Sequence, residues 1–171
     1  IGTLSVQAQL VPIHYTSPKE CGFELDYPGD WVMVSTDDPT SCRVWLRPRD
    51  FVDRMKERDV DVYTLEVSPE RGEFLEVAAR NFFDFYRGKW VMLGRFGIRT
   101  DAEVVTLGHW YGVRGEALVS CFHDSGGNAG LCEEPVLVLR DDDGNVWSIR
   151  GGPQSGPLFD MILATFRFIG L

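Results

Sequence analysis

A chain of 171 residues has the length of one domain, and at this size it buries about 70% of its unfolded surface without help from a metal or cross-link. Its 44% hydrophobic and 25% charged residues exclude bulk disorder. Its 26 acids against 17 bases give a net charge of −9, which argues against phosphate-backbone and anionic-membrane binding, and no apolar run approaches the ~18 residues of a membrane span.

Residues 1–20, with Pro12 and Pro18, read as an arm holding one short strand, and 21–171 as a single domain. Phe23 to Tyr27 alternates apolar and polar at the strand period; Pro28-Gly29-Asp30 turns, and Trp31 to Val34 resumes extended structure. Cys42 to Leu46 reads as a strand stopped by Pro48, residues 50–58 as two helical turns, and Asp61 to Val67 as a strand. Ser68-Pro69-Glu70 resembles a helix start. Phe74, Ala78, Phe82 and Phe85, with Leu75, Val77 and Tyr86, then form an apolar stripe at helical spacing that Gly88 ends, which predicts a long core helix.

Residues 90–107 carry one or two strands, and Tyr111 to Phe122 one long strand in which Gly112 and Gly115 mark a bulge or bend. A glycine-rich loop at 124–134, a buried strand at Val136 to Leu139, a turn at Asp142 to Asn145 and a return strand at Val146 to Ile149 follow. A short helix over Leu158 to Thr165 and a closing strand, Phe166 to Ile169, end the chain. Hairpin-joined strands pair antiparallel. Two amphipathic helices would cover the sheet, so the expected fold class is α+β.

Cysteines 21, 42, 121 and 132 allow three pairings. Cys21–Cys42 and Cys121–Cys132 are favoured, because each pair is close in sequence and brackets one strand–loop–strand unit. Free buried thiols are the alternative, as is a zinc site of Cys121, His123 and Cys132 with His109 or another cysteine, although that spacing fits no standard zinc pattern. Disulfides need an oxidising compartment and so imply an extracytoplasmic protein. The start at Ile1, with no signal region or lipobox in view, fits a processed chain or a trimmed piece, and is compatible with a lipid anchor upstream of residue 1.

Two segments resemble the PsbP-like superfamily, which includes photosystem extrinsic proteins, a Ran-binding import factor and bacterial envelope lipoproteins. They are Phe23-x-Leu25-x-Tyr27-Pro28-x-x-Trp31 and Ile162-Leu163-x-Thr165-Phe166-Arg167-Phe168. The resemblance implies an α/β/α sandwich around a mainly antiparallel sheet and a non-enzymatic role. The four cysteines and the 124–134 loop depart from the family pattern, and no metal ligands of its photosynthetic members can be matched.

Chemistry-bearing motifs are sparse. Asp124-Ser125-Gly126-Gly127 copies a serine-protease nucleophile segment, but neither His14 nor His109 has the matching context, and Ser155 lacks a nucleophile elbow. Gly126 to Gly130 lacks the lysine of a phosphate-binding loop. Asp141-x-Asp143-Gly144-Asn145 departs from a calcium loop and reads as a hairpin turn. The cluster best suited to binding is His109, Trp110 and Arg114, with His123 as a fourth candidate, because arginine and tryptophan are typical anchors; a strand edge with a core tryptophan is the alternative. A groove lined by Trp45, Tyr63, Phe82 and Trp147 is a further candidate, with plain core as its alternative.

The expectation is therefore a non-catalytic extracytoplasmic binding or accessory protein without metal or cofactor, engaging a protein or small molecule and no nucleic acid. The alternatives are a cytoplasmic adaptor or chaperone holding apolar segments of a partner and, more remotely, a small serine hydrolase using Ser125 or Ser155.

Overall fold

The computed structural model describes residues 11–35, 38, 40–51, 64–94, 97–121, 130–152 and 155–170, with the side chains at 35, 120, 121 and 130 outside that set. Strands dominate them: β1 (Ile13–Thr16), β2 (Phe23–Tyr27), β3 (Trp31–Ser35), β4 (Val44–Pro48) and β5 (Leu65–Glu70) precede helix α1 (Phe74–Arg80). Next come β6 (Phe83–Tyr86), β7 (Lys89–Leu93), β8 (Arg99–Asp101), β9 (Glu103–Leu107), β10 (Trp110–Cys121), β11 (Gly130–Arg140) and β12 (Val146–Gly151). Helix α2 (Gly156–Leu163) and β13 (Arg167–Phe168) close the chain.

A seven-stranded sheet in the order β3-β4-β5-β12-β11-β10-β9 forms the middle, with three-stranded sheets β1-β2-β13 and β6-β7-β8 beside it. Every described pairing is antiparallel. The expected α+β sandwich is therefore corrected: the two helices have only seven and eight residues, and the fold is mostly strand. Of the strands in the two flanking sheets, β6 is the one in a segment expected to be helical, and Phe83-x-Phe85 alternates there at the strand period.

Alternation on the central strands makes two cores. On one face Leu46, Val67, Leu137, Leu139, Trp147 and Ile149 pack with Phe23, Leu25, Phe159, Ile162 and Phe166. On the other, Val113, Ala117, Val136 and Val138 pack with Phe74, Val77, Phe83 and Met92. The segments that carry the family resemblance meet in the first core. Phe23 and Phe166 stack at 5.6 Å, and β13 pairs with β2 through Arg167↔Glu24 and Phe168↔Phe23.

Several local expectations change. Ser68-Pro69-Glu70 is the end of β5, not a cap: the Ser68 hydroxyl accepts from Arg43 Nε at 3.2 Å and donates to the Pro69 carbonyl. Pro48 ends β4 at a position paired with β3 and beyond its last partner in β5, so it interrupts no ladder. β10 and β11 stay in one-to-one register through Gly112 and Gly115, so neither glycine is a bulge. They allow close approach instead. A Cβ at Gly112 would lie 2.0 Å from the Val138 carbonyl oxygen, and one at Gly115 would meet Phe83 and Met92 at 3.2 and 3.3 Å.

The helical stripe is the largest correction. α1 stops at Asn81, whose Nδ2 donates back to the Val77 carbonyl at 2.8 Å. Residues 83–92 form a hairpin instead, with Phe83↔Met92 and Phe85↔Trp90 paired across it. Its two-residue loop, Arg87-Gly88, has φ of 50° and 81°, the type I′ geometry that matches strand twist.

Cys21 and Cys42 form a disulfide with a Cα separation of 5.4 Å. Cys132 is also disulfide-bonded, while the side chain of its expected partner Cys121 lies outside the described residues. Cys132 sits on β11 rather than in a loop. No helix among the described residues is long and apolar enough to cross a membrane.

Candidate functional site

The expected cluster does not form one exposed site. His109 is exposed in the β9–β10 turn. Trp110 stacks on Phe168 at 3.7 Å and 18° and belongs to the first core's margin. Arg114 shares Trp110's strand face, but its guanidinium lies 5.2 Å from the Phe159 ring and is ion-paired with Asp160 on α2. Both anchors therefore hold β10 to its neighbours. His123 falls outside the described residues, as do Ser125, Gly126 to Ala129 and Tyr63.

Other candidates have structural explanations too. The Ser155 hydroxyl is buried and donates to the Gly152 carbonyl at 2.6 Å. The Asp141 carboxylate accepts from the Asn145 backbone at 2.8 Å and from its side-chain amide at 2.7 Å, which closes the turn. Trp147 is buried against Phe23 at 5.5 Å, whereas Trp45 lies on the opposite sheet face and is exposed, so the two do not line one groove.

A cleft of about 490 Å³ lies beside β10, with Glu116, Glu133 and Pro157 among its lining, and another of about 370 Å³ holds Arg114, Glu116 and Asp160. Burial pushes the Glu116 carboxyl above the usual range; Arg114 pulls it down, and Glu133 and Asp160 push it up. No group of three His, Cys, Asp or Glu side chains able to hold a metal ion occurs among the described residues.

Two exposed aromatic side chains lie in the segment whose helical spacing predicts core. Phe85 is 60% and Phe82 43% exposed. From Phe85 a row of rings runs inward through Trp90 (5.5 Å) and Phe74 (6.0 Å) to Tyr111 (5.8 Å). Arg140 sits 5.5 Å from the Tyr111 ring at the inner end. At the hairpin tip Arg87 and Arg99 flank the Tyr86 ring at 5.1 and 4.3 Å.

Backbone conformation singles out the same hairpin. Three non-glycine residues among those described have positive φ: Cys42, Phe82 and Arg87. Cys42 is in the disulfide; Phe82 and Arg87 bracket β6. A bulky residue in this region costs about 1–2 kcal/mol, a strain that persists where the surroundings impose it and concentrates at functional surfaces. The sequence signal that could have found this hairpin is Arg87-Gly88 between Phe83-x-Phe85 and Trp90-x-Met92.

No family model and no curated protein matches the chain. Among solved structures, a 1.50 Å crystal structure from Bacteroides thetaiotaomicron matches at 14% identity and a TM-score of 0.48. The match covers 92% of this chain and 48% of that one, so the chain spans about half the length of that neighbour.

Proposed function

We propose that this chain is a non-catalytic binding or accessory protein of an extracytoplasmic compartment, and that it binds through the β6–β7 hairpin. The observation that carries the reading is the exposed Phe82, at a positive φ, and the exposed Phe85 on β6, a strand fixed to a well-packed core through Phe83 and Met92. An exposed aromatic anchor on a rigid element loses little conformational entropy when a partner covers it. The Cys21–Cys42 disulfide supports the compartment and favours this reading over a cytoplasmic adaptor.

The experiment is alkylation of the protein in intact cells of its source, followed by non-reducing peptide mapping. The expected result is a linked Cys21–Cys42 peptide without adduct. Alkylated Cys21 and Cys42 would move the protein to a reducing compartment and overturn the reading.

A further inference from the structure

We infer that the free edge of β3 pairs with β3 of a second copy of this chain, antiparallel about a two-fold axis at Met33, and so joins two central sheets into one. The hairpin packs on β10 near the opposite end of the sheet, so this surface is independent of it.

Among the described residues β3 pairs only with β4. One hydrogen bond fixes the direction of its backbone groups. The Arg49 amide donates to the Asp30 carbonyl at 2.9 Å, and residues 30 and 49 continue the register of Trp31↔Pro48. Antiparallel alternation then points the backbone groups of Val32 and Val34 at β4, and those of Trp31, Met33 and Ser35 outward. The Trp31 amide donates to the Pro28 carbonyl at 3.0 Å, whereas the Met33 and Ser35 amides face the free edge. Such a row of groups is a template for another strand.

A two-fold axis at Met33 fits this edge in backbone and in side chains. Met33 exchanges both of its backbone hydrogen bonds with Met33 of the second copy, and each Ser35 amide meets the other copy's Trp31 carbonyl. Val32 of one copy falls opposite Val34 of the other. Val34 is paired with Trp45 of β4, so the two share a sheet face, the one turned away from the first core, where they are 40% and 47% exposed. The pairing therefore continues an exposed apolar row across the axis.

Charge selects a second copy as the occupant. Two chains of net charge −9 repel, so they meet best where neither carries an ionisable group. Trp31-Val32-Met33-Val34-Ser35 has none. Each other edge strand has at least one: His14 on β1, Arg167 on β13, Glu103 on β9, Asp84 on β6, and Arg99 and Asp101 on β8. The charged side chains that ordinarily block edge-to-edge pairing are thus missing from β3. The acids flanking it among the described residues, Asp30 and Asp38, lie beyond the paired strand. A strand of another protein would find the same backbone groups, but the two-fold matches valine to valine from both sides at once. Two five-residue strands make a contact smaller than the ~800 Å² per partner of a standard interface, so the dimer is weak and set by concentration.

The test is sedimentation velocity of the disulfide-intact full chain from about 1 µM to about 1 mM, with amide hydrogen exchange read at Met33 and Ser35 at both limits. It is repeated on V34K and, as a control at an exposed site on α1, on L75K. Lysine lowers the net negative charge, so a dimer lost in V34K is lost at the edge; thermal unfolding checks the fold of both variants. The expected result is a reversible monomer–dimer equilibrium with slower exchange at both amides in the dimer. V34K should raise its dissociation constant about tenfold or more, because the introduced cations are diagonal neighbours across the axis, and L75K should leave it unchanged. Salt raised from about 0.01 to about 0.1 M should tighten the dimer by screening two like-charged chains. A chain that stays monomeric at about 1 mM with fast exchange at both amides overturns the inference. So does a dimer that V34K leaves intact, that salt dissociates, or that leaves the two amides unprotected, since it uses another contact. A monomer whose Met33 and Ser35 amides are protected at every concentration assigns the edge to a segment of the same chain and overturns the second copy.

Discussion

Phe83 and Phe85 lie two residues apart on one strand, yet truncating them has unequal consequences in this structure. Phe83 is 3% exposed and packs with Met92 and Val113 in the second core, whereas Phe85 is 60% exposed. A phenylalanine presents about 200 Å² of apolar surface, and burial stabilises by roughly 25 cal/mol per Å². Phe83→Ala therefore loses nearly the whole side chain's burial plus a cavity, about 3–5 kcal/mol. Phe85→Ala loses the smaller covered fraction, mainly the edge contact with Trp90, about 1–2 kcal/mol. Urea unfolding followed by far-ultraviolet circular dichroism reads the difference. With a slope of about 2 kcal/mol per M, the midpoint falls by roughly 2 M for Phe83→Ala and by under about 1 M for Phe85→Ala. Equal losses would refute the reasoning, and so would the reverse order, which a continuous helix burying Phe74, Phe82 and Phe85 but not Phe83 would give.

The Cys21–Cys42 bridge closes a 21-residue separation, so the Cys21→Ser/Cys42→Ser double variant should lose about 3 kcal/mol in urea unfolding; an unchanged midpoint would contradict a structural role. His14 is held above its ordinary value of 6.5 chiefly by its hydrogen bond to Asp26, with the charges of Asp26 and Glu24 adding to this and desolvation opposing it. Its stabilisation is complete below that unfolded value and is lost as pH rises through the higher folded value. Unfolding midpoints at pH 5.5 and 8.5 should therefore converge in His14→Gln relative to the parent, the two pH values being chosen to lie about one unit or more either side of the ordinary value. Gly112→Ala forces a Cβ to within 2.0 Å of the Val138 carbonyl oxygen and should cost at least about 1–3 kcal/mol by thermal unfolding, whereas Gly156→Ala, with nothing within 4 Å, should cost far less.

Legibility followed how many readings a local pattern allows. Phe23 to Tyr27 and Val146 to Ile149 alternate, are bounded by turn residues, and form β2 and β12 as expected. The short C-terminal helix and the strand after it were also readable. The segment after Phe74 was ambiguous, because Phe74, Ala78, Phe82 and Phe85 satisfy the helical period while Phe83, Phe85, Trp90 and Met92 satisfy the strand period around a tight turn. Asn81 and Arg87-Gly88 decided for the strand. Losing that helix turned an expected α+β sandwich into a mostly β fold, and it also moved the candidate site. Trp110 and Arg114 drew attention by residue type, but their partners Phe168 and Asp160 lie more than 45 residues away in sequence, and only tertiary structure shows them occupied.

Hydroxyl-radical footprinting of the intact, oxidised chain tests the central claim most directly, since that claim is that the aromatic residues after α1 form an outward-facing hairpin. Labelling should be rapid at Phe85 and Phe82 and slow at Phe83 and Phe74, in line with exposures of 60%, 43%, 3% and 8%. Protection of Phe82 and Phe85 to the level of Phe74 would contradict the account.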